Sequence, residues 1–299
     1  MELLNQNPTY NLFGFKNPDY KTAKVVVLPV PYDAATTYKA GARDGPHAII
    51  DASRNMEYYS EEVGADIMDE GFSIYTLEEL QPNINSPEAM VKDVEKETAR
   101  ILGDGKVPML LGGDHSIAIG SISALAKKRK DFSVLHFDAH SDSRDEYLGS
   151  RYCHACIMAR ARDVCDSCYS VGVRSIYAEG AEKFGNEILF RKDMHSMDME
   201  EIVGKIAKAT KKNIYLTIDV DVLDPSEMPS TGTPEPDGLS FYELSSILRG
   251  VLQRKELLGV DFCELSPIGG FTAPNYLVAK LAYLVLNYSF RLPKAKARR

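Results

Sequence analysis

Six side chains in this sequence are of the types that hold divalent cations, and their spacing would let them act together: His115, Asp138, His140, Asp142, Asp219 and Asp221. They fall in three short runs, Gly112-Gly113-Asp114-His115-Ser116, Asp138-Ala139-His140-Ser141-Asp142 and Asp219-Val220-Asp221. In an extended chain, alternate residues point to one side. Asp138, His140 and Asp142 therefore point together, as do Asp219 and Asp221. Four carboxylates gathered without positive charge would cost on the order of several kcal/mol in repulsion and desolvation. Divalent cations remove that cost. An oxygen-rich set with two imidazoles suits Mn²⁺; Fe, Co and Zn²⁺ are less natural, and the imidazoles disfavour Ca²⁺ and Mg²⁺. Six ligands are more than one metal with an open position needs. The expectation is two ions roughly 3.5–4 Å apart that lower the pKa of a shared water, making hydroxide available near neutral pH.

The elements that must position these groups follow from the pattern of apolar runs. Strands are expected at 23–29, 106–111, 132–137, 169–173, 213–218 and 257–262. Helices are expected at 87–102, 116–128, 155–163, 199–211, 240–253 and 275–288, with Ser240 and Glu243 forming a capping box. Strands apolar throughout and alternating with helices indicate an α/β fold, a mostly parallel sheet covered on both faces. Each run of ligands directly follows a strand, and Cys263-Glu264 follows a fourth. Ligands of open parallel sheets bind at the carboxyl ends of the strands, so four such clusters should meet in one crevice. Residues 224–238 are dense in Pro, Gly, Ser and Asp and are expected to form a long ordered loop. No repeat, low-complexity segment or linker stands out, so 1–299 is read as one domain with a core at about 20–290.

Composition narrows the class. The 299 residues are 44% hydrophobic and 26% charged with a net charge of −8, ordinary for a globular protein with a sizeable core. The acidic balance argues against nucleic acid and is compatible with a cationic substrate. The basic tail of Arg291, Lys294, Lys296, Arg298 and Arg299 reads as a solvated terminus. Residues 1–8 lack the basic and apolar regions of a secretory signal, and no apolar stretch is long enough to span a membrane. Five cysteines are too few for a disulfide scaffold in a chain of this length. A cytoplasmic protein is expected.

The three runs, the last extended to Asp219-Val220-Asp221-Val222-Leu223-Asp224-Pro225, resemble the three signatures of the ureohydrolases, the arginase and agmatinase family. Gly232-Thr233-Pro234-Glu235-Pro236-Asp237-Gly238-Leu239 and Gly41-Ala42-Arg43-Asp44-Gly45-Pro46 resemble two further loops of that family. The resemblance covers roughly residues 20–290. It implies a three-layer α/β/α fold, two Mn²⁺ per subunit and a homo-oligomer, usually a trimer or hexamer. It places one Mn²⁺ with His115, Asp138, Asp142 and Asp219 and the other with His140, Asp138, Asp219 and Asp221, so that Asp138 and Asp219 bridge. It gives Glu264 the substrate's guanidinium and His154 a proton-shuttling role near it. Asp142 or His154 is then the candidate acid for the departing amine, and Asp114 a supporting residue.

Residues 143–153 differ from the loop with which arginases hold an α-carboxylate and α-amine, and resemble agmatinase. Agmatine carries a distal ammonium instead of a carboxylate, so Glu146 and Asp145 are the expected contacts for it. Cys153 stands where serine is more usual before the histidine, and Ala155 where glycine is frequent. Guanidinobutyrate, arginine and other guanidino compounds stay open as substrates. Three rival readings remain. Cys153–Cys156 and Cys165–Cys168 have the C-x-x-C form of a zinc site, but the helix between them would hold the pairs about 13 Å apart; a Cys165–Cys168 disulfide is also open. Cys153 beside His154 could be a nucleophile, and such an enzyme would survive chelation. A metal-holding regulator without catalysis would lack a ligand, and none is missing. Cys263 reads as core, and His136 as a structural histidine, with a supporting role behind the ligands as the alternative.

Overall fold

The computed structural model describes residues 10–15, 19–34, 36–67 and 72–294. Residues 1–8 and the outer tail residues Lys296, Arg298 and Arg299 lie outside these. The strands are β1 (Val25–Val30), β2 (Tyr59–Ser60), β3 (Ala65–Asp66), β4 (Ile74–Thr76), β5 (Val107–Gly112), β6 (Ser133–Phe137), β7 (Cys168–Val173), β8 (Ile188–Phe190), β9 (Asn213–Asp219) and β10 (Glu256–Cys263). The α-helices are α1 (Gly45–Ser53), α2 (Pro87–Gly103), α3 (Ile117–Lys128), α4 (Ile157–Val164), α5 (Ala178–Phe184), α6 (Arg191–Met194), α7 (Met199–Ala209), α8 (Phe241–Leu252) and α9 (Ala273–Phe290). No helix among the described residues is long and apolar enough to cross a membrane.

Eight strands form one sheet in the order β4-β1-β5-β10-β9-β6-β7-β8, and every pairing in it is parallel. Because a strand's side chains alternate between faces, β9 sends Ile214, Leu216 and Ile218 into the core beneath α7, α8 and α9. Tyr215 points the other way, into the core beneath α3 and α4. Helices α1, α9, α8 and α7 pack in succession on the first face, and α2, α3 and α4 on the second. This is the expected three-layer α/β/α arrangement. All six expected strands form, and the capping box at Ser240 and Glu243 starts α8. A second box, Asp198 with Glu201, starts α7.

The expected list of elements was incomplete at its margins. The edge strands β4 and β8 have three residues each, too short to show alternation. Helix α1 was read only as a glycine–proline loop, yet Pro46 sits in its first turn, where a missing N–H costs nothing. The 224–238 segment is an ordered loop, as expected. It is closed by a bridge between Leu223 and Leu239, and the Asp224 carboxylate accepts from Ser226 N and Gly238 N. All five cysteines are free and buried, and Lys294, from the basic tail, donates to the carbonyls of Leu252 and Lys255.

Gly113 shows why the first ligand run begins with two glycines. Its N–H donates to Val30 O at 2.9 Å, the next N–H to Tyr32 O at 2.7 Å, and its carbonyl accepts from Glu264 N at 2.9 Å. A Cβ here would overlap the Tyr32 backbone. Overpacking usually costs about 1–3 kcal/mol when side chains can yield; here the neighbour is backbone. Gly113→Ala is therefore expected to cost at least about 3 kcal/mol, a fall in thermal midpoint of roughly 6 °C or more. Differential scanning calorimetry would show this, and a midpoint within 2 °C of wild type would contradict the packing.

Candidate metal centre

The four strands whose ends carry the ligand runs, β5, β10, β9 and β6, are neighbours at the middle of the sheet. Their parallel direction puts all four carboxyl ends on one rim. His115, just beyond β5, is fully buried, and its Nδ1 has no hydrogen-bond partner among the described residues. Around that nitrogen stand Asp138 Oδ2 at 3.3 Å, Asp142 Oδ2 at 3.4 Å and Asp219 Oδ2 at 3.3 Å. Atoms each about 2.1 Å from a shared cation in tetrahedral array lie about 3.4 Å apart. The three oxygens stand from that nitrogen at the separation expected between ligands of one divalent ion, and His115, Asp138 and Asp142 have ligand atoms within 4.8 Å of one another. A second group adjoins the first: His140 Nδ1 lies 2.9 Å from Asp221 Oδ2 and 3.5 Å from Asp138 Oδ1. Asp138 thus offers one oxygen to each group. The second oxygen of Asp219 accepts from Asp221 N at 2.9 Å. All six expected ligands are together, and the donor set fits a pair of divalent cations.

The electrostatics agree. Burial, then Asp221 and Asp138, push the Asp219 carboxyl well above the usual range. Burial and Asp138 raise Asp221, and burial and Asp114 raise Glu264 strongly. Burial opposes charge on His140, but Asp221 and Asp138 outweigh it and lift the imidazole to about 12. Burial likewise opposes charge on His115, and its three carboxylate neighbours prevail. The burial of several carboxylates side by side makes their shared negative charge costly, and a cation would relieve that cost. Backbone strain falls at the same place: Asp142 and Glu264 have φ of 43° and 68°, left-handed values that side-chain-bearing residues adopt rarely and mainly at functional sites.

A supporting layer was not read from the sequence. His115 Nε2 lies 2.8 Å from Thr217 Oγ1, and Thr217 donates to Asp261 Oδ1 at 2.7 Å. Tyr215 OH donates to the other oxygen of Asp261 at 2.7 Å. His136, for which a supporting role was the alternative to a structural one, has Nε2 2.8 Å from Asp138 Oδ2; burial raises that carboxyl and His136 lowers it, and it ends well below its usual range. The signal that could have found these residues was polarity inside otherwise apolar central strands. The Thr217–Asp261 relay fixes the ring of His115 so that Nδ1 faces the carboxylates. Loss of such a partner typically weakens metal binding about 10- to 100-fold. Thr217→Val, nearly isosteric, is expected to do so; titrating Mn²⁺ against thermal midpoint would measure it, and unchanged affinity would remove Thr217 from the support.

A cavity of about 340 Å³ opens over the centre. Its buried end holds Asp142, Asp219, Asp221 and Glu264. Glu264 Oε1 accepts from His115 N at 2.7 Å. His154 also lines the cavity, with a buried Nδ1 lacking a partner among the described residues. Asp114 lies outside the ligand groups and accepts from Ser116 N at 3.0 Å. Two expected contacts are not brought in. Glu146 is exposed and does not line the cavity, because Tyr147 and Ser150 close a tight turn through mutual backbone hydrogen bonds that faces it outward. Asp145 pairs instead with Arg151 and Arg160.

Comparison with known proteins agrees with this geometry. The sequence profile of the arginase family matches residues 23–286. The chain is 35% identical over 277 residues to the N(1)-aminopropylagmatine ureohydrolase of Synechocystis sp., covering 90% of each protein. It is 38% identical over 275 residues to the protein of the same name from Thermus thermophilus, covering 91% of this chain and 92% of that one. Among solved structures, it is similar to the agmatine ureohydrolase of Thermoplasma volcanium, with a TM-score of 0.81, 30% identity and 92% of both chains covered.

Proposed function

Because the chain belongs to the arginase family, we propose that it hydrolyses the guanidino group of agmatine, releasing urea and the diamine putrescine, a step of polyamine synthesis. The observation that carries this reading is the convergence of three carboxylate oxygens on the unpartnered Nδ1 of His115. One Mn²⁺ would be held by His115, Asp138, Asp142 and Asp219, the other by His140, Asp221, Asp138 and Asp219. Bound there, the pair supplies Lewis acidity and ionises water near neutral pH.

The remaining work falls to the chain's own groups. The guanidinium carbon is a poor electrophile because its charge is delocalised, so orientation matters. Glu264 has one oxygen fixed by His115 N and offers a carboxylate to the planar cation through charge-assisted hydrogen bonds. That pairing holds the carbon over the cluster in reach of attack. After water adds, the departing amine needs a proton. Asp142, within the cluster, and His154, which lines the cavity, are the candidate acids. Residues 1–299 act in this proposal as one unit, in the cytoplasm, and the family resemblance supports a trimer or hexamer.

A second substrate, N(1)-aminopropylagmatine, is favoured by the names of the two curated relatives. Both compounds join a guanidinium to a cationic tail. Steady-state urea release from agmatine, N(1)-aminopropylagmatine, arginine and 4-guanidinobutyrate tests the proposal in Mn²⁺-containing buffer. The highest kcat/KM is expected for agmatine, with its aminopropyl derivative the second reading; arginine preferred over both would sink it.

A further inference from the structure

The exposed end of the cavity lacks what a cationic tail would ordinarily find. Every carboxylate lining the cavity belongs to the buried end: Asp142, Asp219, Asp221 and Glu264. The exposed end carries instead two cations, Lys39 and Arg144, and the rings of Tyr147 and Tyr177. Those two rings already hold a cation. The Arg144 guanidinium carbon lies 4.5 Å from the Tyr177 centroid and 5.3 Å from that of Tyr147, inside the range of cation–π attraction. No carboxylate pairs with the Arg144 side chain among the described residues.

The clasp is built into the backbone that carries the ligands. Tyr177 OH donates to Ser143 O at 3.0 Å, next to Asp142. Two residues before Tyr177, Ser175 bridges to His140, and its carbonyl accepts from Ser141 N at 3.1 Å. Tyr147 is pinned by the turn it closes with Ser150. Arg144, in contrast, is exposed on a long flexible stem, so its guanidinium can move into water with little loss. The Tyr177 ring is tethered through its hydroxyl and Tyr147 through its backbone, whereas the Arg144 guanidinium has no carboxylate partner among the described residues.

Resting on the functional reading above, we propose that Tyr147 and Tyr177 form the subsite for the distal ammonium of a guanidino-amine, with Arg144 as a resident cation that the substrate's tail displaces. Tail recognition in this chain then uses aromatic faces where the sequence suggested acidic side chains. It also gives selectivity: a ring face attracts an ammonium and repels a carboxylate.

The test compares agmatine with butylguanidine, which keeps the guanidinium and chain but lacks the tail cation, using the full-length Mn²⁺-loaded enzyme. The tail advantage is the ratio of their kcat/KM values. Tyr147→Leu and Tyr177→Leu are each expected to shrink it about 3- to 30-fold, mainly through KM for agmatine. Turnover of butylguanidine by each variant serves as the internal check on folding. Arg144→Ala is expected to lower KM for agmatine a few-fold and so to widen the tail advantage over butylguanidine. A tail advantage unaltered in both tyrosine variants would overturn the subsite. So would a raised agmatine KM in Arg144→Ala, which would show that Arg144 supports binding of the substrate and is not displaced by its tail. If neither compound is hydrolysed by the wild-type enzyme, the functional reading falls and the subsite with it.

Discussion

Asp138→Asn is expected to abolish urea release, lowering kcat by well over about 100-fold, the upper end of what losing a mere supporting partner of a metal ligand costs. Asp138 is the only described carboxylate with one oxygen near His115 and the other near His140, so its loss damages both ion sites. The fold should tolerate the change. Asn preserves the shape and can still accept from His140 N, a bond the carboxylate now makes. It also removes a charge that raises the carboxyls of Asp219 and Asp221, which partly offsets the lost interactions with His136, His115 and His140. The measurement is urea release in metal-controlled buffer, with metal content per subunit and the thermal midpoint of the metal-free protein read alongside. Near wild-type turnover with a full complement of metal would defeat the ligand assignment.

Glu264→Gln is expected to lower kcat/KM by about 30- to 1000-fold, the range for removing one member of a buried charge pair. The substitution keeps an oxygen for His115 N, so the backbone around the cluster stays in place. What it removes is the negative charge that faces the guanidinium. Burial and Asp114 make that charge costly in the free protein, so the metal-free variant should melt at the same temperature or higher. Lower activity with undiminished stability is the signature of a group strained for binding. A kcat/KM within threefold of wild type would show that the guanidinium is held elsewhere.

The clustering of His115, Asp138, His140, Asp142, Asp219 and Asp221 was legible because each run follows an apolar strand whose end the composition marks, and because Asp138, His140 and Asp142 repeat at the spacing of extended chain. The sheet was legible for the same reason in its six longer strands. What escaped had weaker local signals. Thr217 and Asp261 are single polar residues inside central strands, and only the register that sets β9 beside β6 and β10 shows that they back the cluster. Helix α1 hid behind a glycine–proline pair that reads equally as a loop. Glu146 misled because a carboxylate next to the ligand loop invites pairing with a cation; its orientation depends on a turn between Tyr147 and Ser150 that pattern alone does not specify.

The strand order has a consequence for how the protein is made. β5 and β6 emerge early but end up separated, and β9 and β10, synthesised some 75 residues or more after β6, enter the gap between them. Until that late insertion, the nascent chain holds His115 and Asp138 on two strands with no common wall. Metal capture therefore cannot template the beginning of folding; it can only lock the end of it. A ribosome-bound chain stopped short of β10 could set β9 beside β6, with Asp138, His140, Asp219 and Asp221 at their ends, but would have nothing to seat β5 and His115 against them.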